Sequence, residues 1–273
     1  MEIEDLQDIV YKKEENGICT ITINQPKRKN AMSFVTFLEI ETVLADMESD
    51  KNTKVLIITG CEEANAFSSG GYFNMNMITS IPKKILEEID LTDIAIKRLS
   101  MKFWNFSKPV IAAINGLAVG AGFTMPLLGA DLIYVSEDAW IGFYFIRRAV
   151  IAEFGADFLL PFYIGFQKAK ELLYFGKKIT AQEAYELGLV NKVLPKKELL
   201  PFVREQALRL IPPKGPSLSI KLMKKTLHNY FKEILSNTLD LENEGLRKLL
   251  TTRDFRESLK ALSQKRDPFF KGK

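Results

Sequence analysis

The sequence predicts an α/β protein built around a parallel β-sheet. Short apolar runs such as "KVLIITG" (54–60) and "ADLIYVSE" (130–137) alternate with longer segments of helical periodicity. These runs are continuously apolar, which is typical of parallel strands covered by helices on both faces. With 273 residues, of which 47% are hydrophobic, the chain can bury a substantial core.

The elements follow one another in a regular order. "DIVYKKEENGICTITIN" (8–24) predicts two strands around the turn signal "EENG". Ser33 is the predicted N-cap of a helix over 34–49, and "KVLIITG" is the next strand. A helix ending near "MKFWNFS" precedes the strand "KPVIAAING" (108–116), and an apolar helix rich in glycine precedes "ADLIYVSE".

The second half of the chain turns helical from about residue 165. Two short helices end at Gly176 and Gly188, and "LVNKVLP" (189–195) is one more strand. Beyond Pro195 the sequence is helical and charged. We therefore expect a core over residues 1–200 and a C-terminal helical region over 201–273.

Composition excludes several classes of protein. The net charge of +4 comes from 38 basic and 34 acidic residues that are dispersed along the chain, which disfavours a nucleic-acid partner. No apolar stretch is long enough for a membrane span, and we expect a cytoplasmic protein. Cys19 and Cys61 lie in apolar, strand-like surroundings, which disfavours a disulfide framework. His228 is the single histidine, so a histidine-based metal site or a Ser-His-Asp triad has little support. A surface or structural role is therefore predicted for His228.

Two glycine-bearing turns are the candidate ligand site. "SSGG" (68–71) and "VGAG" (119–122) each follow a predicted parallel strand, so both lie at the carboxyl-terminal edge of the sheet. Bare amides at a helix start can hold a phosphate or a developing oxyanion. Close packing of a strand against a helix explains the glycines equally well at this point.

Four motifs in one order resemble the crotonase family of enoyl-CoA hydratases and isomerases over about residues 8–200. They are "AFSSGGYF", "KPVIAAINGLAVGAGF", "GADLIYVSEDAWIG" and "FGKKITAQEAYELGLVNKVLP". The resemblance implies a spiral of ββα turns, a C-terminal helical region that forms a homotrimer or a dimer of trimers, and an acyl-CoA thioester substrate. It implies no cofactor beyond the coenzyme A of the substrate.

The resemblance also assigns the oxyanion site. In this family two backbone N–H groups bind the thioester oxygen as the substrate becomes an enolate, and by motif they belong to Gly71 and Ala121. Ser69, Gly120 and Tyr72 stand beside them as expected substrate contacts. Tyr72 replaces an acidic residue that is common at this place in the family.

The acid/base positions depart from those of the hydratases. Where hydratases carry two glutamates, this chain has Thr124 and Phe145, which become expected substrate contacts. Glu153, in "RRAVIAEFGADFLLP", stands where isomerases of the family place an acidic residue. A lone carboxylate resembles the Δ3,Δ2-enoyl-CoA isomerases, in which it moves a proton from C2 to C4.

The surroundings of Glu153 suggest how it would be tuned. We expect an apolar pocket of Phe123, Phe145, Ile151 and Phe154 to raise its pKa. A capping role, or an ion pair with Arg147 or Arg148, is the alternative. Asp157 is expected to cap a helix, or else to orient the base or the substrate.

The coenzyme A moiety is expected to contact residues from two parts of the chain, the basic loop 26–32 and the C-terminal tail. By the resemblance, the contacts are expected from Lys27, Arg28, Lys29, Ala31, Lys265 and Phe269, the last two to the coenzyme A of the same or of a neighbouring subunit. Three functions stay open: the isomerase; another crotonase reaction, such as hydration of an unusual or cyclic dienoyl-CoA, hydrolysis or decarboxylation; and a silent acyl-CoA-binding protein. Acyl-chain length depends on how the segment 72–82 and the C-terminal helices close over the pocket.

Overall fold

The computed structural model describes residues 1–72 and 81–273. The strands in chain order are β1 (Ile9–Lys13), β2 (Ile18–Ile23), β3 (Val55–Gly60), β4 (Ala66–Ser68), β5 (Val110–Ile114), β6 (Leu117–Val119), β7 (Leu132–Ser136), β8 (Trp140–Gly142), β9 (Lys178–Thr180) and β10 (Lys192–Leu194). The helices are α1 (Phe34–Ser49), α2 (Lys83–Leu86), α3 (Lys97–Asn105), α4 (Ala121–Gly129), α5 (Ala156–Ile164), α6 (Phe166–Tyr174), α7 (Ala181–Glu186), α8 (Lys196–Arg209), α9 (Ser217–Asn229), α10 (Lys232–Leu249) and α11 (Arg253–Ser263).

The larger sheet has six strands in the order β1-β2-β3-β5-β7-β10. β1 and β2 are antiparallel, and the other neighbouring pairs are parallel. Every residue of β3 and β5 is buried, because separate apolar clusters cover the two faces of the sheet. The predicted α/β class with a parallel sheet is therefore confirmed.

The smaller sheet has four strands in the order β4-β6-β8-β9. Its first three strands are parallel, and β9 is antiparallel to β8. β4, β6 and β8 each come directly after a strand of the larger sheet, and helices α4 and α5 follow β6 and β8. This alternation is the ββα repeat that the sequence motifs implied.

Local signals in the sequence account for the element boundaries. The Ser33 hydroxyl accepts a hydrogen bond from the Thr36 N–H at 3.3 Å, so the predicted N-cap of α1 is confirmed. Thr180 and Glu183 form a capping box at the start of α7. The predicted hairpin is present, with Ile9 opposite Ile23 and Lys13 opposite Cys19.

The C-terminal helices pack on different parts of the core. α8 covers one face of the larger sheet, where Leu199 and Val203 join the cluster of Ile57 and Ile111. α9 and α10 contact α3, α10 also contacts α5, and α11 contacts the 3₁₀ turn Ile146–Arg148. The division of the chain near residue 200 and the trimer both stay predictions. In the described part of the chain, no helix has the length and apolarity that crossing a bilayer requires.

The single histidine has a structural place between α3 and α9. Its ring stacks on Trp104 with the centroids 4.2 Å apart, and the Trp104 indole N–H donates to the His228 carbonyl at 2.9 Å. The structural role predicted for His228 is confirmed.

Candidate active site

A cavity of about 400 Å³ lies where the two glycine turns meet the C-terminal helices. Nine of the predicted site residues line it: Arg28, Ala31, Ser69, Gly71, Tyr72, Gly120, Ala121, Phe145 and Glu153. The chain thus brings both predicted oxyanion donors and the predicted base to one surface. The part of the segment 72–82 that spans 73–80 lies outside the described residues.

The first glycine turn leaves β4 and is tied to the loop before α1. The Met32 N–H donates to the Gly70 carbonyl at 2.8 Å, and the Tyr72 N–H donates to the Met32 carbonyl at 2.7 Å. Gly70 has a φ of +98°, and a Cβ there would lie 2.5 Å from the Val119 carbonyl oxygen and 3.7 Å from the Ala121 nitrogen. The turn that carries Gly71 is therefore packed directly against the second glycine turn.

The second glycine turn starts α4. Gly120 is its N-cap with a φ of +53°, and Ala121 is its first residue, so the Ala121 N–H has no partner within the helix. A Cβ on Gly122 would lie 2.3 Å from the Ser68 carbonyl oxygen. The close-packing explanation of the glycines is therefore confirmed, and this packing brings the Ala121 amide to the cavity beside Gly71. The role of these amides as oxyanion donors stays a prediction.

Glu153 is a buried carboxyl on the wall of this cavity. It is 7% exposed, and burial raises its pKa to about 7. The backbone amide of Ala121 interacts with the carboxylate and partly opposes this rise. A carboxyl with a pKa near neutrality can both accept and return a proton at physiological pH.

One of the two alternative roles suggested for Glu153, the ion pair, is wrong. Within the described chain no ion pair connects it with Arg147 or Arg148; the Arg147 guanidinium instead lies 4.0 Å from the centroid of the Tyr144 ring. Glu153 does not cap α5, whose N-cap is Gly155, but its carboxylate interacts with the free Ala121 amide at the start of α4. The capping role expected of Asp157 is wrong, because Gly155 is the N-cap of α5 and Asp157 lies within its first turn.

The apolar surroundings of Glu153 differ in part from the prediction. Phe145 lines the cavity, but Phe123 packs against Phe143, and Phe154 packs against Phe37 at 5.5 Å between ring centroids. Ile151 packs against α10. These three side chains lie behind the wall. The lining residues that sequence reasoning missed include Ile94, Val119 and Val150, together with five apolar residues of α10, α11 and the turn between them: Leu246, Leu250, Phe255, Leu259 and Leu262.

Of the three basic residues in the loop before α1, Lys27, Arg28 and Lys29, Arg28 alone lines the cavity. The Arg28 guanidinium donates to the Asp8 carboxylate at 2.8 Å and to the Ala31 carbonyl at 3.0 Å, and it lies 5.0 Å from the centroid of the Tyr72 ring. Arg28 is therefore a fixed cation at the cavity mouth. Lys27 and Lys29 are exposed and do not line the cavity.

The other predicted contacts lie away from the wall. Thr124 is fully buried, with its hydroxyl 3.3 Å from the Gly120 carbonyl oxygen. Lys265 and Phe269 are exposed at the end of the chain, and the Phe269 N–H donates to Glu257 at 3.0 Å. The substrate contacts assigned to these three residues and to Lys27 and Lys29 stay predictions.

Comparison with known proteins agrees with this geometry. Residues 13–273 match the sequence profile of a family described as enoyl-CoA hydratase/isomerase. The chain is 30% identical to a crotonyl-CoA hydratase of Syntrophomonas wolfei over 97% of this chain and 98% of that protein. It is 33% identical to an enoyl-CoA delta isomerase 2 of Rattus norvegicus, over 77% of this chain and 53% of that protein. A crystal structure of an enoyl-CoA hydratase from Mycobacterium avium subsp. paratuberculosis superposes with a TM-score of 0.83 at 26% identity, covering 97% of this chain and 99% of that chain.

Proposed function

Because the chain belongs to the enoyl-CoA hydratase/isomerase family, the crotonases, we propose that it is a Δ3,Δ2-enoyl-CoA isomerase. One observation carries the proposal. Glu153 is the one carboxylate that lines the cavity in the described ranges, and the segment 73–80 contains neither Asp nor Glu. One carboxylate suffices to move a proton between two carbons of the same substrate.

The reaction would use the two glycine turns and Glu153 together. The thioester oxygen accepts hydrogen bonds from the N–H groups of Gly71 and Ala121. The Glu153 carboxylate removes a proton from C2, and the electron pair of the C–H bond moves toward the thioester oxygen to give a dienolate. Glu153 then returns the proton to C4, so the double bond moves from C3–C4 to C2–C3 and no atom is gained or lost.

The contact between Ala121 and Glu153 links substrate binding to the strength of the base. The Ala121 amide lowers the pKa of Glu153. A thioester oxygen that takes this amide removes the interaction, so the carboxylate becomes more basic when the substrate is in place. The same amide then stabilises the enolate, and such a donor is worth about 3 kcal/mol in the transition state.

Hydration has poor support at this site. It needs a water molecule held between two acid/base groups, and the two places that hydratases of the family use hold the fully buried Thr124 and the apolar Phe145. Apolar side chains from α10 and α11 cover the same cavity. Such a wall disfavours water near the dienolate.

The proposal is tested by offering the purified protein 3-enoyl-CoA and 2-enoyl-CoA esters of several chain lengths in deuterated water. Mass spectrometry should show interconversion of the two isomers with deuterium exchange and no addition of water. Glu153→Gln should abolish the reaction, whereas Glu244→Gln, an exposed glutamate of α10, should not. Addition of water, thioester cleavage or no turnover by the wild-type protein would refute the isomerase and indicate, respectively, a hydratase, a hydrolase or a binding protein.

A further inference from the structure

The loop that carries Glu153 has an unfavourable backbone. Phe154, directly after the base, has a φ of +60°, and Gly155 has a φ of +66°. A bulky residue in the left-handed region is strained and persists only where the surroundings hold it. Something outside the loop must therefore fix its shape.

Glu242 of α10 contacts this loop and the start of α5 through hydrogen bonds to backbone amides. It is 2% exposed, and its two carboxylate oxygens accept hydrogen bonds from the N–H groups of Gly155 at 2.8 Å and Asp157 at 3.2 Å. Both amides belong to the start of α5, where helix N–H groups have no partner of their own and the helix dipole favours negative charge. One buried carboxylate thus satisfies two orphan amides at the start of α5, next to the strained turn.

The neighbouring residues of α10 strengthen this connection. The Asn243 side chain accepts from the Ala95 N–H at 2.8 Å and donates to Asp93 at 2.8 Å. The Ala95 carbonyl in turn accepts from the Phe154 N–H at 3.4 Å. The strained residue is therefore held through Asn243 as well as through Glu242.

We propose that Glu242 is a positioning residue, which holds the Phe154–Gly155 turn so that the Glu153 carboxylate faces the Ala121 amide. This inference rests on the proposed role of Glu153 as the base. Glu242 touches no reacting atom in that mechanism, because the described cavity wall includes Glu153 and not Glu242.

The charged groups near Glu242 are carboxyls. Burial and the neighbouring Asp157 and Glu153 raise its pKa well above the usual value, and the amides of Gly155 and Asp157 oppose this rise. Asp240, two residues before Glu242 on α10, pairs with Lys97 at 2.6 Å, and the Asp93 carboxylate accepts from Asn243. Loss of Glu242 would release the loop and admit water to Glu153, so the pKa of Glu153 should fall.

Glu242→Ala, Glu242→Gln and the control Glu244→Gln test the proposal. Alanine removes both acceptors, so we expect kcat for isomerisation to fall about 10²-fold, with the Kd of a saturated acyl-CoA changed far less. Glutamine keeps one acceptor oxygen and should restore part of the rate. Glu244→Gln should match the wild type.

A second readout does not depend on turnover. The pKa of Glu153, followed by ¹³C NMR of labelled glutamate and assigned with Glu153→Gln, should fall from about 7 toward the ordinary value in both Glu242 variants. Folded Glu242 variants with an unchanged Glu153 pKa and an unchanged kcat would overturn the positioning role. A wild-type protein that does not isomerise, but whose Glu153 pKa responds to Glu242, would overturn the proposed function alone.

Discussion

The backbone amide of Ala121 interacts with the carboxylate of Glu153, so the proposed oxyanion donor and the proposed base lie side by side on the cavity wall. In the proposed mechanism, the charge on the thioester oxygen and the proton removed from C2 would therefore be handled within one small volume. The two groups come from different parts of the fold, the start of α4 and the loop before α5. If Glu153 is the base, the pH dependence of activity should therefore report its ionisation.

The first prediction concerns the pH dependence of activity. The base acts in its ionised form, and its pKa in the folded protein is about 7, so kcat/KM should fall as the pH falls through about 7. The acidic limb of the kcat profile should lie at the same or a higher pH. In the substrate complex the thioester oxygen accepts the hydrogen bond of the Ala121 amide, which then no longer lowers the pKa of Glu153. Initial rates measured from about pH 5 to 9 with a 3-enoyl-CoA ester check this; a limb near the ordinary glutamate pKa would contradict it.

The second prediction concerns stability. Glu153 has a folded pKa of about 7 against an ordinary value of 4.5, so the folded state binds the proton more tightly than the unfolded state. Stability from this group is fully present below pH 4.5 and is lost as the pH rises through 7, where ionising the buried carboxyl costs about 3 kcal/mol. Glu153→Gln should therefore stabilise the protein at high pH and much less at low pH.

Denaturant unfolding of wild type and Glu153→Gln at about pH 5 and pH 8 measures this difference. The exposed Glu244→Gln variant should change stability by less than about 0.5 kcal/mol at either pH. Equal stabilities of wild type and Glu153→Gln at the higher pH would show that the carboxyl is not buried as described. A gain in stability with a loss of activity is the expected signature of a catalytic group.

The third prediction concerns the packing that presents the Ala121 amide. In Gly122→Ala the new methyl group would meet the Ser68 carbonyl oxygen at 2.3 Å, so α4 must move away from β4. We expect a loss of about 1–3 kcal/mol in stability and a fall in kcat of about 10²-fold, because a small displacement of a positioned donor is costly. Steady-state kinetics and thermal unfolding provide the measurements.

Gly188→Ala is the control for this variant. Gly188 has a φ of +78°, and among the described residues no heavy atom other than those of its two chain neighbours lies within 4 Å of a Cβ built there. It should therefore lose about 1–2 kcal/mol through backbone strain alone and keep full activity. Equal losses of activity in both variants would mean that stability, and not the position of Ala121, limits turnover.

The sequence predicts more of the proposed catalytic groups than of the cavity wall around them. Gly71, Ala121 and Glu153 lie in short motifs whose geometry is local, and the chain brings all three to one cavity. The long apolar strands β3 and β5 were predicted because they bury both faces. Periodicity did not show the smaller sheet, because its three-residue strands are too short to show a period; only the family resemblance, through its ββα turns, implied these strands.

The rest of the cavity depends on contacts between distant parts of the chain. Leu246 and Phe255 lie on amphipathic helices, and their periodicity says which face is apolar but not which surface that face covers. The pairing of Glu242 with Gly155 is of the same kind, since it joins residues 87 positions apart. Phe123 and Phe154 show the converse, because apolar residues next to a site in sequence can point into the core instead.

The last prediction concerns the length of the acyl chain. Leu250 lines the cavity just beyond the end of α10, so Leu250→Ala should make room for additional methylene groups. Each buried methylene contributes about 0.8 kcal/mol, or roughly fourfold in affinity, so kcat/KM should shift toward longer 3-enoyl-CoA esters. The matched control is Leu241→Ala, because Leu241 lies on the same helix and is 67% exposed. If the order of kcat/KM values across chain lengths is the same in Leu250→Ala and in wild type, the acyl chain must leave Glu153 in another direction, toward Tyr72.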